Sequence, residues 1–248
     1  MRAEQSPQDV PYRIIHKARY GMDKLALVQR YKIHYVEAGQ GEPVVLIPGS
    51  YRTYRAWNHW MPLLAAQYRI LMLDYHEMGG SEKPREGANT IQEQTDIIAQ
   101  MVLQLGLGKV HLIGGSSRGA LVFDFAARYP DLVNKIVSIE GGLVDSSPGS
   151  KPSRPWYRIS ITRKASKNIE EDARSIKAPV LYLYGTLSHF RGIQLKENLQ
   201  YLKNYLPHAW IVELEGRLHD LAMQNPSELA GLILEFLNNK TESKPRQS

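Results

Sequence analysis

The chain has 248 residues, of which 43% are hydrophobic, and this is enough to bury the core of one domain spanning residues 1–248. It contains no cysteine, which excludes disulfides, thiolate zinc sites and a cysteine nucleophile, and its net charge of +6 is too modest and too evenly spread to predict nucleic-acid binding. No apolar run reaches the roughly 18 residues of a membrane span, and the polar N-terminus lacks the apolar segment of a signal peptide, so we expect a cytoplasmic protein without stable membrane insertion.

Short β-rich segments alternate with longer helical patterns, which is typical of parallel strands joined by crossover helices. From the N-terminus onward, the predicted strands are 25–30, 32–39, 44–49, 68–74, 109–115, 134–141, 179–185 and 209–216. The predicted helices are 56–67, 90–107, 120–130, a short helix beginning near residue 168, 195–206 and 225–239. The alternation predicts an α/β domain with a mostly parallel sheet flanked by helices.

Local signals mark the last helix and two segments outside the alternation. Asn225 is suited to an N-cap, Pro226 to the first helical position and Glu228 to the third position of a capping box. Residues 143–167 interrupt the alternation and are predicted to form a short lid or cap insertion. Residues 240–248 are predicted to be a flexible tail.

The sequence GGSSRG, at 114–119, lies between a predicted strand and a predicted helix. A tight turn in this context that exposes a serine among small residues is typical of a nucleophile elbow. A glycine-rich turn that only caps the helix is the alternative; no lysine follows the glycines, and the spacing is not that of a phosphate loop. Taken literally, G-x-S-x-G selects Ser117, which lies between Gly115 and Gly119.

Three further motifs accompany this turn. VVLIPGS at 44–50, followed by Trp57, is similar to an oxyanion loop, and LEGRLHD at 214–220 ends in a histidine loop. LDYHEMGGSEKP matches the turn Asp-x-x-Gly-x-Gly-x-Ser-x-x-Pro at Asp74, Gly79, Ser81 and Pro84. With the alternating elements, these motifs make the chain from about Leu25 to Leu237 resemble the α/β-hydrolase family. The resemblance implies a three-layer α/β-hydrolase fold with an eight-stranded sheet and a very short cap.

The resemblance assigns the nucleophile differently from the literal motif. An ungapped match to family members of the form VHLVG-x-S-x-G-G places Ser116 at the nucleophile and keeps both the strand and the helix in register. We therefore favour Ser116 and retain Ser117 as the alternative. Arg118 then occupies a position that the family usually reserves for glycine, so the turn must direct this side chain away from the packed strand.

A serine hydroxyl becomes nucleophilic only when a neighbouring base removes its proton. His219 lies where the family's catalytic histidine resides, beyond the last predicted strand. The family's usual acid follows strand 179–185, but TLSHF at 186–190 contains no carboxylate. Glu140 ends the preceding strand, at a position from which haloalkane dehalogenases of the same fold supply their acid, and Asp145 is the reserve candidate. A structural glutamate bonded to loop amides is the alternative for Glu140.

The oxyanion formed on attack requires two preorganised donors. If Ser116 attacks, the resemblance implies the backbone N–H groups of Ser117 and Ser50, although Pro48 replaces the family's histidine in the second loop. Tyr51 and Trp57 are candidate substrate-binding residues. Helix core is the equally supported alternative for Trp57.

A triad of Ser116, His219 and Glu140 predicts a serine hydrolase that cleaves small-molecule carboxylic esters through an acyl-enzyme. No cofactor or metal is expected for this chemistry. Two alternatives remain open: a non-catalytic ligand-binding member of the family, and hydrolysis of lactones or carbon–carbon bonds. The fold and the triad do not fix the substrate.

Overall fold

Eight strands form a single sheet in the order β1-β2-β4-β3-β5-β6-β7-β8. A computed structural model describes residues 18–49, 53–74, 79–82, 91–141, 173–188, 193–218 and 221–239. The strands are β1 Met22–Val28, β2 Tyr31–Ala38, β3 Pro43–Ile47, β4 Arg69–Leu73, β5 Val110–Gly115, β6 Val133–Ile139, β7 Val180–Gly185 and β8 Trp210–Leu214. The predicted lid and tail lie outside the described residues, as does Asp145.

The sheet is antiparallel at one edge and parallel elsewhere. Strand β2 pairs antiparallel with β1 and β4, and every other neighbouring pair is parallel. The central strands are buried along nearly their whole length, as expected for parallel strands covered on both faces. The prediction of a mostly parallel eight-stranded sheet is confirmed.

Helices cover both faces of the sheet. The α-helices that lie wholly within the described residues are α1 Met61–Leu64, α2 Ile91–Gln104, α3 Gly119–Arg128, α4 Ile193–Tyr205, α5 Leu221–Gln224 and α6 Pro226–Asn238. Buried residues of α2, α3 and α4 pack in one hydrophobic cluster, and those of α1, α5 and α6 pack in the other. The three-layer prediction is therefore confirmed. No helix within the described ranges is long and apolar enough to cross a membrane.

One predicted helix, 56–67, is wrong as a continuous element. A 3-10 helix covers Tyr54–Trp57, and α1 begins only at Met61. Pro62 explains the break, because it has no N–H to donate to the preceding turn and its ring clashes with the carbonyl four residues earlier. The segment therefore bends at a point where its apolar periodicity alone predicts a straight helix.

The start of α6 follows the sequence prediction with one difference. Asn225 is the N-cap, and its side chain accepts a hydrogen bond from the backbone N–H of Glu228. The Glu228 carboxylate accepts from the Asn225 side-chain amide at 2.8 Å, where a capping box has it accept from the backbone N–H. The same carboxylate pairs with Arg217 at 2.9 Å, which fixes α6 to the turn after β8.

Candidate functional site

The turn between β5 and α3 has strained backbone at one serine. Ser116 follows the last residue of β5 with a left-handed backbone, at a φ of +53°. For a residue with a side chain, that conformation costs roughly 1–2 kcal/mol and persists only where the surrounding structure imposes it. Ser116 is half-buried, and the geometry favours it over Ser117 as the residue at the tip of the elbow.

Close backbone contacts explain which positions of the elbow require glycine. A Cβ at Gly114 would collide with the carbonyl of Arg118, and a Cβ at Gly119 would collide with the Cα of Gly141. Arg118 itself has ordinary right-handed backbone angles, with φ −84° and ψ −10°, and its side chain is buried. The turn therefore needs glycine two residues before and three residues after Ser116, and it accommodates arginine between them.

The loop after β3 lies directly against this turn. Ile47 of β3 pairs with Gly114 of β5, and a Cβ added to Gly49 would lie 3.2 Å from the Cβ of Ser116. A side chain at this position would therefore require the elbow to shift by a few tenths of an ångström. Ser50 and Tyr51 lie outside the described residues, so their predicted roles stay predictions.

Glu140 follows the end of β6, beside the elbow. Ile139 of β6 pairs with Gly115 of β5, so the residues after these two, Glu140 and Ser116, leave adjacent strand ends. Glu140 also has a left-handed backbone, with a φ of +51°. Besides Gln29, these two residues are the non-glycine positions with positive φ in the part of the chain that the structure describes.

The Glu140 carboxylate is held at the end of β7. One oxygen accepts a hydrogen bond from the backbone N–H of Gly185 at 2.7 Å, and the other accepts from the hydroxyl of Ser188 at 2.6 Å. The carboxylate of the residue after β6 thus reaches the loop after β7, and that loop has no acidic residue of its own. The bond to Gly185 also fits the alternative reading of Glu140 as a structural residue.

The turn after β8 is bound to this same loop. The N–H of Gly216 donates to the Thr186 hydroxyl at 2.8 Å, and the N–H of Leu187 donates to the carbonyl of Arg217 at 2.8 Å. Two residues later comes His219, which lies outside the described residues. The loop after β7 therefore contacts both the predicted acid and the segment that leads to the predicted base.

Trp57 lies beneath the elbow as part of the core. Its side chain is buried, and its ring is 3.7 Å from where a Cβ on Gly115 would lie. It packs edge to face on Trp60, with ring centroids 5.0 Å apart. The indole Nε1 of Trp57 is buried without a hydrogen-bond partner in the described part of the chain. The position supports the core interpretation and leaves the substrate-binding one as a prediction.

A buried chain of titratable groups, which sequence reasoning missed, links β1, β2 and the loop after β4. His34 Nδ1 lies 2.7 Å from the Asp74 carboxylate, and its Nε2 lies 3.0 Å from that of Asp23. Asp74 also accepts hydrogen bonds from the backbone N–H groups of Tyr54 and Gly80. The antiparallel pairing of the first two strands is the signal that could have revealed it. His34 is only 2% exposed, and the cluster joins the first two strands to the loop after β4.

This cluster predicts a pH dependence of stability. Burial lowers the pKa of His34, but the hydrogen bonds and charges of Asp74 and Asp23 outweigh it and leave the pKa above its ordinary value of 6.5. The protonated ring therefore stabilises the folded state below pH 6.5, and this contribution is lost as the pH rises through the folded-state pKa. In urea unfolding, the free energy of unfolding should fall more between pH 6 and pH 8 for the native chain than for His34→Gln. Equal falls would contradict the prediction.

A cavity of about 880 Å³ lies at the opposite edge of the sheet, where the strands begin. His111, Lys135 and Trp210 contribute to its lining. His111 lies within β5, as the sequence predicts, and burial lowers its pKa despite a 3.0 Å contact with Glu42. The cavity is separated from the elbow by the length of the strands, so it is not part of the candidate site.

Within the described ranges, no group of three or more histidine, aspartate or glutamate side chains is arranged to hold a metal ion.

Comparisons with known proteins show what this chain is similar to. The family model for the alpha/beta hydrolase fold matches residues 42–162. A soluble epoxide hydrolase of Corynebacterium sp. (strain C12) is 35% identical over 124 residues, which are 50% of this chain and 41% of that protein. A 2-hydroxy-6-oxo-6-phenylhexa-2,4-dienoate hydrolase of Burkholderia cepacia is 24% identical over 201 residues, or 76% of this chain and 68% of that protein.

A solved structure extends the similarity to most of the chain. An E-2-(acetamidomethylene)succinate hydrolase superposes with a TM-score of 0.75 at 18% identity, covering 89% of this chain and all of that one. The match to the epoxide hydrolase, by contrast, spans less than half of that relative's length. At this level of identity, the structural likeness shows the fold and not the activity.

Proposed function

Because the chain has the α/β-hydrolase fold, we propose that it is a serine hydrolase that cleaves carboxylic esters through an acyl-enzyme. The observation that carries this proposal is the pair of left-handed residues, Ser116 and Glu140, at the ends of adjacent parallel strands. Strain of this kind collects at functional sites, where it aims a side chain that ordinary backbone would direct elsewhere.

The proposed reaction follows the usual order of acyl transfer. His219 takes the proton from Ser116 as its hydroxyl oxygen attacks the ester carbonyl carbon, and Glu140 stabilises the histidine cation. The backbone N–H groups of Ser50 and Ser117 bind the oxyanion. The bond to the alcohol then breaks, and His219 returns the proton to the leaving oxygen. Water attacks the acyl-enzyme by the same route and releases the acid.

Hydrolysis of a carbon–carbon bond is the second candidate, and one observation favours it. The dienoate hydrolase of Burkholderia cepacia aligns with 76% of this chain and with 68% of its own length. The same serine, histidine and acid suffice for either bond, because the shape of the pocket, and not the triad, selects the substrate.

Labelling with a fluorophosphonate tests the proposal directly. We expect the probe to attach to Ser116, identified by peptide mass spectrometry, and p-nitrophenyl acetate to be hydrolysed with a burst of p-nitrophenol. Labelling without ester turnover, combined with cleavage of 2-hydroxy-6-oxo-6-phenylhexa-2,4-dienoate, would select the carbon–carbon hydrolase. Absence of labelling at both Ser116 and Ser117 would contradict a serine hydrolase and favour the non-catalytic alternative.

A further inference from the structure

Gly185, the last residue of β7, and the three residues that follow it form a turn with hydrogen bonds on two sides. We refer to residues 185–188 as the β7 turn. On one side, Gly185 and Ser188 bind the two oxygens of Glu140. On the other side, Thr186 and Leu187 bind the backbone of the turn after β8. One short segment is therefore bonded both to the acid and to the chain that leads to His219.

Gly185 is where the two sides meet. Its N–H donates to Glu140, and a Cβ at this position would collide with the carbonyl of Arg217. The backbone of the turn after β8 therefore lies directly on Gly185. The β7 turn therefore donates to Glu140 and contacts the backbone of Arg217, two residues before His219 in the sequence.

Ser188 supplies the side-chain part of this arrangement. It is only 3% exposed, and its hydroxyl donates to a Glu140 oxygen at 2.6 Å, a short distance typical of hydrogen bonds to charged groups. A glutamate side chain has three rotatable bonds, and the bond to Gly185 fixes only one of its oxygens. The second bond, from Ser188, fixes the plane of the carboxylate. A carboxylate has about four acceptor sites, so these two bonds do not exhaust its capacity to accept from a histidine N–H.

We propose that Ser188 is a positioning residue that orients the Glu140 carboxylate toward the catalytic histidine. This inference rests on the proposed function, and it adds a residue to which neither the elbow motif nor the triad assigns a role. Ser188 acts through Glu140 and does not itself contact the reacting atoms. Its loss removes a bond that holds one carboxylate oxygen of Glu140 at the end of β7.

The first test compares two buried serines on neighbouring strand ends. Ser188→Ala removes the bond to Glu140, whereas Ser138→Ala removes a buried hydroxyl that has no hydrogen-bond partner in the described part of the chain. With p-nitrophenyl acetate, we expect Ser188→Ala to lower kcat by roughly tenfold to a hundredfold at nearly constant KM, as for loss of a charged hydrogen bond. Ser138→Ala should stay within about twofold of the native chain.

The second test moves the carboxylate from position 140 to position 188. Glu140→Ala removes the carboxylate, and Glu140→Ala/Ser188→Asp restores one at the other end of the same 2.6 Å contact. We expect the double variant to regain at least about tenfold in kcat over Glu140→Ala. The uncharged control, Glu140→Ala/Ser188→Asn, should regain nothing. Thermal melting of every variant separates these effects from unfolding.

The results distinguish failure of the positioning role of Ser188 from failure of the proposed hydrolase function. If Ser188→Ala melts at a lower temperature but keeps the native kcat, or if aspartate at 188 rescues no better than asparagine, the positioning role is wrong while the hydrolase proposal stands. If the native chain neither reacts with the fluorophosphonate nor hydrolyses the ester, the proposed function fails, and the inference fails with it.

Discussion

Replacing Ser116 with alanine is expected to lower kcat for ester hydrolysis by at least about 10⁴-fold and to abolish fluorophosphonate labelling, since no other group can then form the acyl-enzyme. Ser117→Ala is expected to keep most of the activity. The role proposed for Ser117 belongs to its backbone N–H, which alanine retains. The two adjacent serines should therefore differ in effect by several orders of magnitude, although both substitutions remove only one hydroxyl.

The backbone supplies the physical reason for this asymmetry. Ser116 has a φ of +53° directly after the last residue of β5, while Ser117 continues into the 3-10 turn that leads to α3. A left-handed residue between a strand and a helix points its side chain out of the turn. The next residue already has its N–H among the donors at the start of the helix, where an oxyanion is favoured.

Steady-state kinetics with p-nitrophenyl acetate and intact-mass measurement after labelling check both variants. Thermal melting establishes that each is folded. The opposite result, an inactive Ser117→Ala and an active Ser116→Ala, would restore the literal G-x-S-x-G reading and make Ser117 the nucleophile. Near-native activity of both variants would exclude a serine nucleophile at this turn.

The strands could be predicted from the sequence because they depend on local patterns. Apolar runs of five to eight residues between segments of helical periodicity are typical of strands, and all eight predicted strands are present within a few residues of their bounds. The prediction of one continuous helix over 56–67 was wrong for a local reason as well. Pro62 lacks the N–H that would donate to the preceding turn.

The elbow shows why a motif is less informative than the contacts it represents. Glycine in G-x-S-x-G stands for positions at which backbone approaches too closely for a side chain. In this chain those positions are Gly114, Gly119 and Gly141, and the third comes from another strand end. Arg118 occupies a position at which the family usually has glycine. Its backbone angles are in the ordinary right-handed region, so this position does not require glycine.

The surroundings of Glu140 could not be predicted, because its partners lie 45 and 48 residues further along the chain. The sequence places Glu140 at a strand end, and nothing in its neighbours indicates that its side chain reaches the end of β7. The absence of an acid in the β7 turn suggested a departure from the family. In the structure, a carboxylate from the adjacent strand lies at that turn, bonded to Ser188.

Changing Glu140 to glutamine is expected to lower kcat by about 10³- to 10⁴-fold with little change in KM, as for other triads whose carboxylate is made neutral. Glutamine keeps the size of the side chain and an oxygen that can accept from Gly185. It loses the negative charge that stabilises the histidine cation. The effect should therefore appear in the chemical step and not in substrate binding.

Asp145→Asn is the matched control, because Asp145 is the other carboxylate near this strand end in the sequence. If Glu140 is the acid, Asp145→Asn keeps near-native kcat, and the large loss belongs to Glu140→Gln alone. If Glu140 only braces the β7 turn, Glu140→Gln lowers the melting temperature while kcat falls by less than about tenfold, since a neutral amide preserves much of the bracing. Kinetics and melting on the same two proteins therefore separate an acid that acts in catalysis from one that supports the loop.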